Sequence, residues 1–235
     1  MSESNSHLYI VATPIGNLED MTFRAIRILQ EVDYVFCEDT RQTQKLLQHY
    51  KIKNRTESFH AQSGHGRIDH MINILEGGQS IAYVTDCGTP GISDPSSLLV
   101  HEVRTRLPQV TISPIPGPSA LTALVSVAGV PIDEFIFLGF LPHKKGRETM
   151  IKDMVISGRA TICYESTHRI QKALTSIAAH MIELSGAERK IVIGRELTKA
   201  FEEIIEGLPS ELLERMQDDP HKEKGEFAII VPGVK

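Results

Sequence analysis

The stretch Ile81–Ser97, IAYVTDCGTPGISDPSS, which runs on into Leu98–Leu107, decides how this chain is read. A short apolar, β-branched run gives way to a Gly/Pro loop and then to a helical pattern, so the reading is strand, tight loop, helix. Gly88 and Gly91 permit positive φ and leave no side chain in the way, which lets backbone N–H and C=O groups approach a ligand. Pro90 and Pro95 stiffen the loop, and Ser96 or Ser97 is the expected N-cap of the helix. In an open α/β sheet, a loop at the carboxyl end of a strand is where ligands bind. The loop matches neither G-x-x-x-x-G-K-[ST] nor G-x-G-x-x-G and holds no Lys or Arg, which disfavours a nucleotide triphosphate. A neutral or cationic ligand held by backbone groups, with Asp86 and Asp94 nearby, fits better.

Outward from this stretch, the chain alternates strand and helix. Leu8–Ala12 reads as a strand ending in the turn TPIGN, broken by Pro14 and Gly16. Asp20–Gln30 has a mostly helical apolar pattern with Asp20 or Thr22 as candidate caps. Asp33–Cys37 is a strand that delivers Glu38, Asp39, Thr40 and Arg41 to its carboxyl end, and Thr43–Tyr50 turns helical. Ser58–His70 reads as a solvated loop, since His60, His65 and His70 lack metal-ligand spacing. A helix over Ile68–Leu75 stops at Gly77–Gly78, and Val110–Ile115 is a further strand. Strand and helix in alternation imply a parallel sheet with right-handed crossovers.

The pattern changes at PIPGPSA, Pro114–Ala120, a stiff connector that leads into the helix ALTALVSVAG. The domain boundary is placed here, giving an N-terminal α/β domain over 1–117 and a C-terminal domain over 118–235. In the latter, strand follows strand near the end with short connections, which implies antiparallel pairing in a mixed sheet.

Composition sets bounds on function. With 235 residues, 41% hydrophobic and 23% charged, the chain can bury a substantial core. Its 25 basic and 30 acidic residues, net −5, predict no global attraction to nucleic acid, so any such contact must use a local patch. Three widely spaced cysteines, Cys37, Cys87 and Cys163, argue for free thiols in a reducing compartment. The polar start MSESNSH and the lack of a long apolar run are read as cytoplasmic, with no membrane segment.

Three Gly/Pro loops follow strands, at Thr13–Asn17, Asp86–Pro95 and Pro116–Ser119. If those strands are neighbours in one sheet, the loops line one crevice; taken singly, each is an ordinary turn. The group EDTR, Glu38–Arg41, reads either as a helix start or as Asp39 orienting Arg41 for an anion. The basic run LPHKKGR, with His143, Lys144, Lys145 and Arg147, is a solvated loop by default or a local phosphate-binding patch at the mouth of an interdomain cleft. YESTHR and RELTK again place charged and hydroxyl groups at strand ends. No Ser-His-Asp, H-E-x-x-H, C-x-x-C or kinase set is present.

The motifs TPIGNLEDMT, EDTRQTQKLL, YVTDCGTPGISDP, PIPGPSA, FLPHKKGR, YESTHR, RELTKAFEE and GEFAIIV, in this order from about Leu8 to Gly233, resemble the ribosomal RNA small subunit methyltransferase I family, within the tetrapyrrole methylase superfamily. The resemblance implies a two-domain α/β methyltransferase that binds S-adenosylmethionine between its domains, as a homodimer, with no metal. The implied reaction is 2′-O-methylation of a cytidine ribose in 16S rRNA of the small ribosomal subunit. On this resemblance the donor site is expected at Asp86, Gly88, Pro90, Gly91, Ile92 and Ser93, with Pro116, Gly117, Ser119 and Ala120 from the connector. Pro14 to Asn17 would face the substrate, and Arg41, Lys144, Lys145 and Arg147 would hold RNA phosphates. A ribose hydroxyl is a weak nucleophile, so a group must accept or polarise its proton, and Asp39, Asp86, Glu165 and Glu196 are the candidates.

Departures from the family's pattern fall at His143, more often Arg, at Thr167, often Pro, and after Phe59–His60, where acidic and amide residues are expected. Many relatives continue past the last strand into a further small region, so activity here is expected to be reduced if that region grips the ribosome. The rival readings are a porphyrinoid methylase with an apolar cleft, a non-catalytic ribosome-binding factor and, more distantly, a metal hydrolase.

Overall fold

Ile81–Val84 forms a strand with every side chain buried, as its β-branched run predicts for a strand covered on both faces. The computed structural model describes residues 6–234 except 61, 93 and 220. The chain divides into two units, Met1–Ser119 and Ala120–Lys235.

In the first unit, β1 (His7–Val11), β2 (Tyr34–Cys37), β3 (Arg55–Ser58), β4 (Ile81–Val84) and β5 (Thr111–Ile115) form a parallel sheet in the order β3-β2-β4-β1-β5. Successive residues point to opposite faces. Leu8, Phe36, Ile81 and Tyr83 pack against α3 (His65–Glu76) and α4 (Ser96–Arg106). Val11, Val35, Ala82 and Val84 pack against α1 (Phe23–Glu31) and α2 (Thr40–His49). The chain therefore leaves β1 toward one face and β4 toward the other, and these two strands are neighbours. That divergence is a topological switch point, where two loops part and open a crevice at the carboxyl edge.

Two local expectations change. The solvated loop over Ser58–His70 gives way to a pairing of Arg55–Ser58 with β2 and a helix that starts at His65. His70 and Arg67 both reach the Glu57 carboxylate, at 3.1 and 2.9 Å. The N-cap of α4 is Pro95 rather than a serine, and the residue before it, Asp94, accepts from Ser96 N on Oδ1 at 2.8 Å and from Gly91 N on Oδ2 at 2.5 Å. Thr22, as expected, caps α1 by accepting from Ala25 N.

The second unit begins with α5 (Ala120–Val127) and continues through β6 (Phe135–Phe140), α6 (Arg147–Ile156), β7 (Ala160–Ser166), α7 (Ile170–Ser185), β8 (Ile191–Arg195), β9 (Glu203–Gly207), α8 (Pro209–Asp218) and β10 (Glu226–Val231). Its sheet has the order β6-β7-β10-β8-β9, with β6 and β7 parallel and the remaining pairs antiparallel. Helices α6, α7 and α8 cover one face through Ile151, Leu174, Ile177 and Leu212. No helix among the described residues is long and apolar enough to cross a membrane.

Candidate functional site

The three Gly/Pro loops follow β1, β4 and β5, and these strands are adjacent in the order β4-β1-β5. The sheet therefore gathers the loops along one edge. They are also tied to each other. Thr13 N donates to Gly88 O at 3.0 Å and Gly88 N returns a bond to Thr13 O at 3.2 Å. Thr13 Oγ1 donates to Thr85 O at 3.1 Å, and Thr85 Oγ1 donates to Gly88 O at 3.0 Å. Thr89 Oγ1 donates to Pro118 O at 2.9 Å, joining the β4 loop to the connector.

Two glycines in this edge stand where a side chain would crowd its neighbours. Gly88 stands at φ +82°, and a Cβ there would lie 3.1 Å from Ile15 Cγ2. A Cβ on Gly117 would lie 3.0 Å from Ala12 Cβ. Pro90 is buried, whereas Gly91, Ile92, Pro116 and Gly117 are exposed, and Pro14, Ser119 and Ala120 are half-buried. Asn17 is exposed and its Oδ1 accepts from Glu19 N at 3.0 Å, capping a short 3-10 turn. Ser93, part of the expected donor set, lies outside the described residues.

Beside the loops stands an acidic corner built from the ends of β2 and β4. These strands pair through Cys37 and Val84, so Glu38 and Asp39 emerge next to Thr85 and Asp86. Asp39 is both things its motif allowed. It caps α2 by accepting from Arg41 N at 2.8 Å, and it grips the Arg41 guanidinium through Oδ1 at 3.0 Å and Oδ2 at 2.7 Å. Those bonds hold the Asp39 carboxyl down at about 2, which makes it a poor proton acceptor. Arg41 itself is 85% exposed, a fixed cation at the rim. Asp86 Oδ1 accepts from Asp39 N at 3.1 Å, and burial pushes the Asp86 carboxyl above its ordinary value. Burial, with Asp86 and Asp94 close by, lifts Glu38 to about 6. Tyr83 is fully buried on β4, and its hydroxyl has no hydrogen-bond partner among the described residues.

In the second unit the expected residues separate. Lys144 and Lys145 are exposed on the loop after β6. Arg147 is not with them: only 2% exposed, it donates Nη1 to Glu165 Oε2 at 2.9 Å and to Pro142 O at 3.3 Å. Glu165 is fully buried, and its second oxygen receives Arg169 at 2.6 Å and Ser166 N at 2.9 Å. These side chains form an internal brace between the loops that follow β6 and β7. Arg147 is thus withdrawn from the phosphate-binding group and Glu165 from the proton acceptors, because neither reaches solvent.

Glu196 is also committed. Burial alone would raise it, but the Lys199 ammonium at 2.9 Å and the Glu226 N–H at 2.8 Å outweigh burial and hold it below the usual range. Its backbone is left-handed at φ +50°, packed where a Cβ on Gly225 would strike its side chain. Cys37 and Cys163 are buried and Cys87 is exposed, with burial pushing the Cys37 thiol up to about 11.

Sequence reasoning missed Glu38 and Tyr83 as members of the site. The signal for Glu38 was present, since it is the first residue past a buried strand. Nothing in the sequence places Asp94 beside it.

A sequence profile of the Tetrapyrrole (Corrin/Porphyrin) Methylases matches residues 7–213. Ribosomal RNA small subunit methyltransferase I of Escherichia coli O157:H7 is 43% identical over 234 residues, 99% of this chain and 79% of that protein. The protein of the same name from Thermotoga maritima is 40% identical over 226 residues, 96% of this chain and 98% of that protein. Among solved structures, the methyltransferase CobJ is similar with a TM-score of 0.68 at 15% identity, covering 97% of this chain and 94% of that chain. Uroporphyrin-III-C-methyltransferase from Thermus thermophilus gives 0.63 at 15% identity, with 96% and 94% covered. At such identities the similarity shows the two-unit α/β fold alone.

Proposed function

The chain belongs to the ribosomal RNA small subunit methyltransferase I family of the tetrapyrrole methylases, and on that premise we propose that it methylates the 2′-oxygen of a cytidine ribose in 16S rRNA, using S-adenosylmethionine. The observation that carries this reading is the loop edge of β4, β1 and β5, free of Lys and Arg across Ile81–Ser97 and carrying Asp86 and Asp94. Such an edge fits a cationic ligand, and its two crowded glycines fit one that the backbone approaches closely. When bound, S-adenosylmethionine supplies an electrophilic methyl group on a positively charged sulfur.

The chain's own residues do the rest. The backbone of Gly88, Pro90, Gly91 and Ile92, with Pro116, Gly117, Ser119 and Ala120, holds the donor, and the Asp86 carboxylate favours its positive charge. Pro14 to Asn17 faces the RNA. Arg41, pre-set by Asp39, and the exposed Lys144 and Lys145 bind phosphates and fix the register of the strand. Because the three loops are cross-bonded, the donor and the acceptor are held in a fixed relation, and positioning supplies much of the rate. The active form is proposed to be a cytoplasmic homodimer, which sedimentation equilibrium tests.

Transfer of label from S-adenosylmethionine to small ribosomal subunits lacking this modification, followed by ribose-methylation mapping, tests the reading. Label at one cytidine ribose is the expected result. Donor binding without any label in the subunit, or label in a porphyrinoid instead, would overturn it.

A further inference from the structure

Four carboxylates were expected to compete for the ribose proton, and the geometry removes them in turn. Asp39 is clamped through both oxygens by Arg41. Glu165 is sealed between Arg147 and Arg169. Glu196 is bonded to Lys199 and to the Glu226 N–H. Asp86 stands within the donor loop, where the reading above gives it to the donor's positive charge, and takes the Asp39 N–H on Oδ1. A fifth carboxylate stands at the carboxyl end of β2, next to β4 and its loop. We infer that the Glu38 side chain is the group that accepts the ribose hydroxyl proton during methyl transfer, an assignment that rests on the ribose-directed reaction proposed above.

Three features support it. Glu38 is half-buried, makes no salt bridge among the described residues and accepts one backbone bond, from the Asp86 N–H, so no cation holds it as Arg41 holds Asp39, Arg147 and Arg169 hold Glu165, and Lys199 holds Glu196. The groups that face it are Asp86 and Asp94 from the β4 loop, with the Asp86 N–H, Tyr83 from β4 and Cys37 from its own segment. These surroundings leave it more basic than an ordinary carboxylate yet largely ionised at neutral pH, the balance that a general base needs. The fully buried Tyr83 hydroxyl lies within electrostatic reach of Asp94, Glu38, Cys37 and Asp86 and has no hydrogen-bond partner among the described residues. A buried hydroxyl left unpaired is costly, so it marks this corner as one that an incoming polar group completes.

In the step itself, the ribose oxygen forms a bond to the methyl carbon, whose bond to sulfur breaks with the electron pair remaining on sulfur. The hydroxyl proton passes to a Glu38 oxygen, leaving a neutral thioether, a methylated ribose and a protonated carboxyl that solvent later discharges. No oxidant, reductant or metal is required.

The test compares wild type with Glu38→Gln and Glu38→Asp on small ribosomal subunits, by single-turnover transfer between pH 5 and 9. Donor affinity is measured by calorimetry, and the Glu38 carboxyl is titrated by carbon-13 NMR, assigned by its loss in the Gln variant. Glu38→Gln is expected to slow transfer roughly 10²- to 10⁴-fold with donor affinity within about twofold. The wild-type rate should fall about tenfold per pH unit below about 6, the NMR midpoint should lie there too, and Glu38→Asp should recover part of the rate. Retention of both rate and acidic limb in Glu38→Gln, or loss of donor affinity in step with rate, overturns the assignment. A wild type that leaves no ribose methyl fails the underlying reaction instead, and the two failures are thereby told apart.

Discussion

Arg147 meets Glu165 at 2.9 Å where the two side chains are 3% and 0% exposed, and Arg169 closes on the other carboxylate oxygen at 2.6 Å. A carboxylate between two guanidinium groups is satisfied only as a set. Arg169 also donates to Leu141 O at 2.8 Å, and Arg147 to Pro142 O, so the brace fixes the root of the Lys144–Lys145 loop.

Replacing Glu165 with Gln should therefore strip two buried cations of their counter-charge and destabilise the protein by about 3–5 kcal/mol. Arg147→Met should cost less, because Glu165 keeps Arg169. Urea unfolding at neutral pH checks the order; equal midpoints for wild type and Glu165→Gln would show that the brace contributes nothing.

Lys144 and Lys145 are expected to act on RNA through charge alone. Changing both to Ser should weaken subunit binding and reduce the slope of log affinity against log salt by about 1.4, at roughly 0.7 per single-strand phosphate contact. Filter binding from low to high salt gives the slope. If it stays put, these lysines do not touch phosphate.

Gly88→Ala places a Cβ at φ +82° and 3.1 Å from Ile15 Cγ2. The left-handed backbone alone should cost about 1–2 kcal/mol, and displacement of Ile15 should spread to the Thr13 pairing and weaken donor binding at least about tenfold. Gly64→Ala, where nothing lies within 4 Å, is the control. Calorimetry with S-adenosylmethionine and a thermal melt read both effects, and a Gly88→Ala protein that binds donor as tightly as the control refutes the close approach.

Glu38 should leave a mark on stability as well as on rate. Its folded-state carboxyl titrates near 6 against an ordinary 4.5. A raised acid favours the protonated fold, so its contribution is fully present below the unfolded value and is lost as pH rises through about 6. Glu38→Gln should thus be more stable than wild type at pH 8, by about 1 kcal/mol after allowance for solvent screening of a half-buried group, and should show no gain at pH 4. Asp39 runs the other way. Held down at about 2 by Arg41, it supports the fold above its unfolded value and loses that support as pH falls toward about 2. Paired melts across this range test both signs.

The parallel sheet and its loop edge are legible in the sequence because β1, β4 and β5 are short runs closed by Gly or Pro and β2 is an apolar run closed by the charged EDTR. That logic finds β1, β2, β4 and β5 and the mixed sheet that follows. It fails at β3, whose residues RTES carry no apolar period; an edge strand needs only main-chain pairing, and β2 supplies it. The same limit applies to side chains. Arg147 sits in a basic run and reads as surface, and only the fold brings Glu165, 18 residues on, to bury it. Glu38 reads as a helix-start acid until Asp94 arrives across β4. Local pattern records which backbone a segment adopts, whereas burial and proton affinity depend on partners distant in the chain.

The brace of Arg147, Glu165 and Arg169 carries one more positive charge than negative. Mobile ions weaken the field of surface lysines within about a Debye length, but they reach an interior charge far less. The loop at Lys144–Lys145 therefore rests on a standing positive potential that added salt erodes only slightly. With both lysines gone, the salt dependence that remains should be the smaller part that the exposed Arg41 carries.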